Sequence, residues 1–255
     1  MIQLPEWQRF PKAPITEALL DIRVKLPSDI GLDQLLGLHE QIRGDYPQQR
    51  ERKSWQGGVA LKDGKLEISP VTGGADGYLF SSLDGRQIVQ AKLDGFTFNR
   101  LAPYDRWETF RDEAKLHWGR YRNLARPTII TRIALRYINR LPLPLPIKDF
   151  RDWINTTPEI APGLPQGLKT FFMRLEIPHP TTAAIGIITE TMQAPEVIAG
   201  SDRQILPLIL DIDVLQEGEF TPDSDVLWST FEDLRNVKNE FFFKSVTDRA
   251  KELFQ

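Results

Sequence analysis

Cysteine is absent from this chain of 255 residues, and histidine occurs only three times, as His39, His117 and His179. Without cysteine there is no disulfide scaffold, no thiol nucleophile and no thiolate metal site. No two histidines stand at ligand spacing, so nothing points to a zinc or non-haem iron centre, and no cofactor is expected. A surplus of positive charge is missing as well. Thirty-two Lys and Arg stand against 35 Asp and Glu, a net charge of −3. That argues against a general polyanion binder, whose affinity comes from phosphate-neutralising cations. Long hydrophobic runs are lacking too. Ile205 to Leu215 is the most apolar stretch, but Pro207, Asp211 and Asp213 interrupt it. It falls short of the roughly 20 residues a membrane helix needs. The first ten residues lack the basic-then-apolar order of a secretory signal. A cytoplasmic protein that does not engage membranes is the expectation.

What is present is ordinary globular composition, 41% hydrophobic and 26% charged. A chain this long buries roughly three-quarters of its surface on folding and needs no staple. Ala18 to Leu26 alternates, with Ala18, Leu20, Ile22, Val24 and Leu26 on one side and Leu19, Asp21, Arg23 and Lys25 on the other, which predicts a half-buried strand. Leu32 to Tyr46 carries apolar residues at helical spacing, with Ser28 or Asp29 as cap and Pro47 as stop. Strand-like runs follow at Trp55–Leu61, Lys65–Ser69, Tyr78–Leu83, Gln87–Leu93 and Phe96–Leu101. They are separated by the turns Lys62-Asp63-Gly64, Asp84-Gly85 and Asp94-Gly95 and by a flexible Gly73–Gly77 loop. Connections so short predict an antiparallel meander. A second helix is expected from Asp105, with Asp105 and Glu108 as its capping box, and 122–127 as a linker.

The pattern then starts again. Ile129–Leu141 alternates, a short helix is expected over Lys148–Ile154, and strands over Lys169–Ile177, Ala183–Met192 and Gln204–Leu215. The end of the chain, Asp225 to Phe254, reads as one long helix or two with a break near Asn239. The expected class is α+β, an antiparallel sheet with helices packed on one face. Residues 1–125 and 126–255 form two pseudo-repeated strand-helix-strands-helix halves, as two units or one continuous domain. That element order resembles the saddle of TATA-binding-protein-like folds, and fold alone carries no function.

Several segments resemble a bacterial and archaeal family described only as "sporadically distributed". They are Ala13–Ala18, Phe98–Glu108, Arg132–Arg140 and Leu234–Phe254. The resemblance implies no assigned activity and no site residues. Its patchy occurrence implies genes that move between genomes, as defence and toxin–antitoxin components do.

Candidate sites follow from residue type and spacing. Arg132, Arg136 and Arg140 lie at intervals of four, so on a strand they share one side. Arg23, Lys25, Arg100 and Arg174 join them if the paired strands turn their polar faces the same way. Guanidinium forks on such a face suit phosphate or carboxylate. The plainer reading is cross-strand ion pairing with Asp21, Glu176, Glu190, Asp211 and Asp213. Phe96 and Phe98 alternate with Arg100, and rings beside arginines on an open sheet would hold single-stranded nucleic acid or a nucleotide. Otherwise the rings belong to the core. At the strand-to-helix junction Arg100–Glu108, Arg100 and Tyr104 are left over once capping and packing are assigned. Glu190, Asp211 and Asp213 would form a metal site for a hydrolase if strand pairing brought them together.

Nucleophile motifs, phosphate-binding loops and zinc-protease signatures are missing. His39 and His117 read as packed and His179 as exposed. The favoured function is therefore a non-enzymatic binding or interaction module, with a protein partner or a second copy as its contact. Phe241-Phe242-Phe243 motivates it, since three consecutive rings exceed what one helix stripe buries. Nucleic-acid or nucleotide binding and metal-dependent hydrolysis are the alternatives.

Overall fold

The computed structural model describes the backbone of residues 7–62 and 65–255, with side chains over 7–54 and 73–255. The first six residues and the Asp63-Gly64 turn lie outside the described residues. Ten strands form one sheet: β1 (Ile15–Lys25), β2 (Gln48–Lys62), β3 (Lys65–Ser81), β4 (Gln87–Lys92), β5 (Gly95–Leu101), β6 (Ile129–Pro144), β7 (Phe172–Pro178), β8 (Ile185–Met192), β9 (Glu196–Val197) and β10 (Gln204–Phe220). Their order is β2-β3-β4-β5-β1-β6-β10-β8-β7, with β9 pairing β10. All named pairs are antiparallel. The sheet runs unbroken through the β1–β6 pair, where Leu20 faces Leu135, and one buried core spans both sides of it.

Four helices accompany the sheet: α1 (Leu32–Ile42), α2 (Trp107–Ala125), α3 (Asp225–Ser245) and α4 (Asp248–Lys251). The class is α+β. Ala18, Leu20 and Ile22 of β1 line up with Phe98 and Phe96 of β5, Val89 and Ala91 of β4, and Tyr137 and Leu135 of β6. On this apolar side, Phe98 stacks on Phe110 of α2 and Phe80 stacks on His39 of α1. On the same side, α3 sets Lys238 over the Tyr137 ring. No helix among the described residues is long and apolar enough to cross a membrane.

Local chemistry moves several element ends from their sequence expectations. The α1 cap is Gly31, whose N–H donates to Gln34 Oε1 at 2.9 Å, while Asp29 pairs with Arg126. For α2 the cap is Arg106 and not Asp105, with no side-chain capping bond, and Glu108 lies 3.8 Å from both Arg9 and Arg235. The expected linker at 122–127 is helix to Ala125, closed by Arg126 in the left-handed region at φ 48°. The Gly73–Gly77 loop is part of β3, where a Cβ on Gly77 would overlap the Ala91 carbonyl of β4. The short helix expected over 148–154 is a single 3-10 turn at Phe150–Asp152. Asn239 does not break α3. The break falls at Val246, which turns extended to bridge Ile154, after which the Thr247 hydroxyl caps α4.

Candidate functional site

The two sides of the sheet separate the candidate residues. Arg132, Arg136 and Arg140 do share a side, the helix-free one, together with Arg23 of β1. Each guanidinium there is held by a carboxylate. Arg132 reaches Asp21 at 3.1 Å and Asp213 at 3.5 Å, Arg136 reaches Asp211 at 2.5 Å, Arg140 pairs with Glu196, and Arg23 pairs with Asp21 and Asp94. At the centre, Asp21 also accepts from Lys92 Nζ and Thr97 Oγ1, both at 2.6 Å. Burial pushes the Asp21 carboxyl up, but the Lys92 ammonium, the Thr97 hydroxyl and Arg23 outweigh it and hold it below its ordinary value. A shallow depression of about 660 Å³ is lined by Arg23, Arg132 and their neighbours.

Phe96 and Phe98 are on the other side, both 0% exposed under Trp118, Tyr121 and Phe110 of α2. Rings and arginines therefore do not share an open face. Alternation places Phe96 opposite Ile22 and Phe98 opposite Leu20, a step out of phase with Asp21. Arg100 follows the rings to the helix side and pairs with Glu113 of α2 at 2.9 Å. The carboxylate trio is divided in the same way. Glu190 lies opposite Leu210, one residue out of phase with Asp211 and Asp213, so it faces away from both. Among the described residues no three His, Asp or Glu side chains converge to hold a metal ion. Glu190 is 0% exposed with both oxygens unpartnered, and burial pushes its carboxyl up to about 7.

Histidine placement is mixed. His39 and His117 are packed, and burial beside Arg120 lowers His117 to about 4. His179 is not exposed: it folds back on α3, 3.4 Å from Glu240. The Phe241-Phe242-Phe243 surplus is absorbed inside the chain. Phe241 fills the space that Gly186 leaves by having no Cβ, Phe242 enters the core, and Phe243 stacks on Trp7 and Phe10.

Tyr104 opens onto a more enclosed cavity. That space of about 710 Å³ is walled by residues 7–15, by the β5–α2 junction 102–107, by Tyr137 and Asn139 of β6, and by α3. On α3 the wall is Arg235, Lys238, Asn239, Phe242 and Phe243, spaced i, i+3, i+4, i+7 and i+8, one face of a helix. The Tyr104 and Tyr137 hydroxyls meet at 2.7 Å, and burial raises both phenols. Asn139, 2% exposed, donates to the carbonyls of Tyr137 and Leu210. Arg235 also lines it, 3.6 Å from Glu232 and 3.8 Å from Glu108, its guanidinium over the Trp107 ring.

Lys238 is the unusual member. It is 9% exposed, its Nζ donates to Asn239 Oδ1 at 2.5 Å, and it lies 4.0 Å above the Tyr137 ring. No carboxylate among the described residues pairs with it. Burial, helped by Arg235, lowers its ammonium from 10.5 to about 7. Lys238, Asn239 and Arg235 escaped the sequence reading, although they continue the phase of Phe231 and Phe242. Polar residues at apolar-stripe positions are the signal that marks them.

Compared with protein-family models, with curated proteins and with solved structures, the chain matches none of them.

Proposed function

We propose that this chain is a ligand-binding module whose site is the cavity between α3, β6 and the β5–α2 junction, and that it takes a small organic anion with an aromatic or apolar body. The observation that carries this is Lys238, a buried lysine on a cavity wall with no carboxylate counterion among the described residues. Nearly every other buried or half-buried basic group described above has its acid. Among the described residues the lining adds Arg9, Lys12, Arg106 and Arg235 and one acid, Asp105, while Glu108 and Glu232 reach Arg9 and Arg235 from beside it, on a chain whose overall charge is −3. Its rings, among them Trp7, Phe10, Tyr104 and Phe243, supply the apolar body's share of the contact. The resemblance to the sporadically distributed family implies no ligand, so the reading rests on the cavity.

The sheet order supports a duplication as its scaffold. From the central β1–β6 pair, β5-β4-β3 runs outward on one side and β10-β8-β7 on the other. In this reading the halves are pseudo-repeats in TATA-binding-protein-like order, and the ligand sits near their seam. A nucleic acid on the open face is the weaker reading, since its guanidinium groups are already paired.

Titration with phenylacetate and with benzylamine, an acid and an amine of similar size, tests the reading. Phenylacetate should raise Tm in a saturable way and benzylamine should not, since a ligand of the native state alone stabilises it. Arg235→Ala should weaken the phenylacetate effect about tenfold, as expected for one lost charge-assisted contact. A response to both ligands or to neither overturns it.

A further inference from the structure

The cavity's polar groups are those a carbonyl compound needs. Lys238 offers an amine on the wall. The Tyr104–Tyr137 hydroxyl pair, at 2.7 Å, stands on the same wall. Arg235 in the lining is a fork suited to a carboxylate. Lys92, the other strongly buried lysine, shows what a structural role looks like, because it is locked to Asp21 at 2.6 Å. Lys238 has only an amide oxygen for a partner.

We infer that Lys238 is a nucleophilic amine that condenses with the carbonyl carbon of a 2-oxo acid bound in this cavity, forming an imine. The inference rests on the binding reading above and names its ligand class. The neutral Nζ lone pair attacks the carbonyl carbon, forming the C–N bond as the C=O π pair moves to oxygen. That oxygen takes a proton from the tyrosine pair and the nitrogen returns one to it, which gives the carbinolamine. The pair then protonates the hydroxyl, the C–O bond breaks and water leaves, the C=N bond closes, and the nitrogen's second proton restores the pair. One water is released, and nothing is oxidised or reduced. The raised phenols suit this role: they stay protonated until a strongly basic oxygen develops beside them. Burial keeps a large share of Nζ unprotonated near neutral pH, which an exposed lysine does not achieve.

The full chain is incubated with phenylpyruvate and sodium cyanoborohydride, which reduces an imine to a stable amine, and is mapped by peptide mass spectrometry. Lys238 should be labelled on the order of tenfold or more above surface lysines, reflecting its larger neutral fraction. Phenyllactate, the same anion with a hydroxyl in place of the carbonyl, should label nothing and should suppress the Lys238 adduct in competition. Lys238→Met should lose that adduct, and Tyr104→Phe should slow adduct formation by more than it weakens the Tm shift given by phenyllactate. Labelling spread evenly over surface lysines overturns the inference. If phenylpyruvate and phenyllactate both raise Tm but no adduct forms on Lys238, condensation fails and the binding reading stands. If neither raises Tm and no adduct forms, both fail.

Discussion

Two buried lysines, one on each side of the sheet, divide the molecule. Lys92, 2% exposed on the helix-free side, is fixed by Asp21, which Thr97, Arg23 and Arg132 also engage. Lys238, on the helix side, faces a cavity with an asparagine for company. Burial lowers both ammonium groups, but Asp21 restores part of the charge preference at Lys92, and no carboxylate among the described residues does so at Lys238. The first arrangement satisfies its charges and closes the surface. The second leaves a lysine without a carboxylate on a cavity wall, the observation on which the proposed binding rests.

The sharpest way to break this comparison is to open the satisfied side. Asp21→Asn leaves Lys92 buried without its counter-charge, and unfolding in urea should show a loss of about 3–5 kcal/mol. Lys238→Met should act in the opposite direction. The unfolded chain holds this proton up to about 10.5, whereas the folded chain releases it above about 7. Wild-type stability therefore rises with pH through that window, and the burial penalty is full below it. The methionine variant should gain about 2 kcal/mol at pH 6, with the gain vanishing as pH nears 10.5. Glu190 gives a smaller, acid-side counterpart. Its folded carboxyl keeps a proton between 4.5 and about 7, where the unfolded chain has lost it, so stability falls as pH rises through that range. Glu190→Gln should exceed wild type by about 1–2 kcal/mol at pH 8 and match it near pH 4, in melts at the two pH values.

Individual elements were legible in the sequence wherever period and punctuation agreed. The alternation of Ala18–Leu26 became β1, Ile129–Leu141 became most of β6, and the apolar stripe after Asp225 became α3. Each strand's own two faces were legible as well. Their phase relative to one another was not, because register is set by pairing and a one-residue step exchanges the faces. That is why Phe96 and Phe98 were grouped with Arg132, and Glu190 with Asp211. Capping and packing leave over both Arg100 and Tyr104 at their junction, and the fold puts Tyr104 on the cavity wall and Arg100 against Glu113. Lys238 was not legible, since its neighbours across the cavity come from residues 7–15, 102–107 and 137–139. Proximity of that kind arises only from the tertiary fold.

The middle of the sheet also sets the order of assembly. Leu20 is flanked by Phe98 on one side and Leu135 on the other, so the central strand cannot find its neighbours until loops on the order of 100 residues have closed. Such non-local pairing folds slowly, and the pieces of the cavity, drawn from both ends of the chain and from its centre, meet only when it is finished. Occupancy of the cavity is in that sense a report on completed folding. A ligand that enters it draws only on finished molecules and so pulls the folding equilibrium of the whole chain toward the native state.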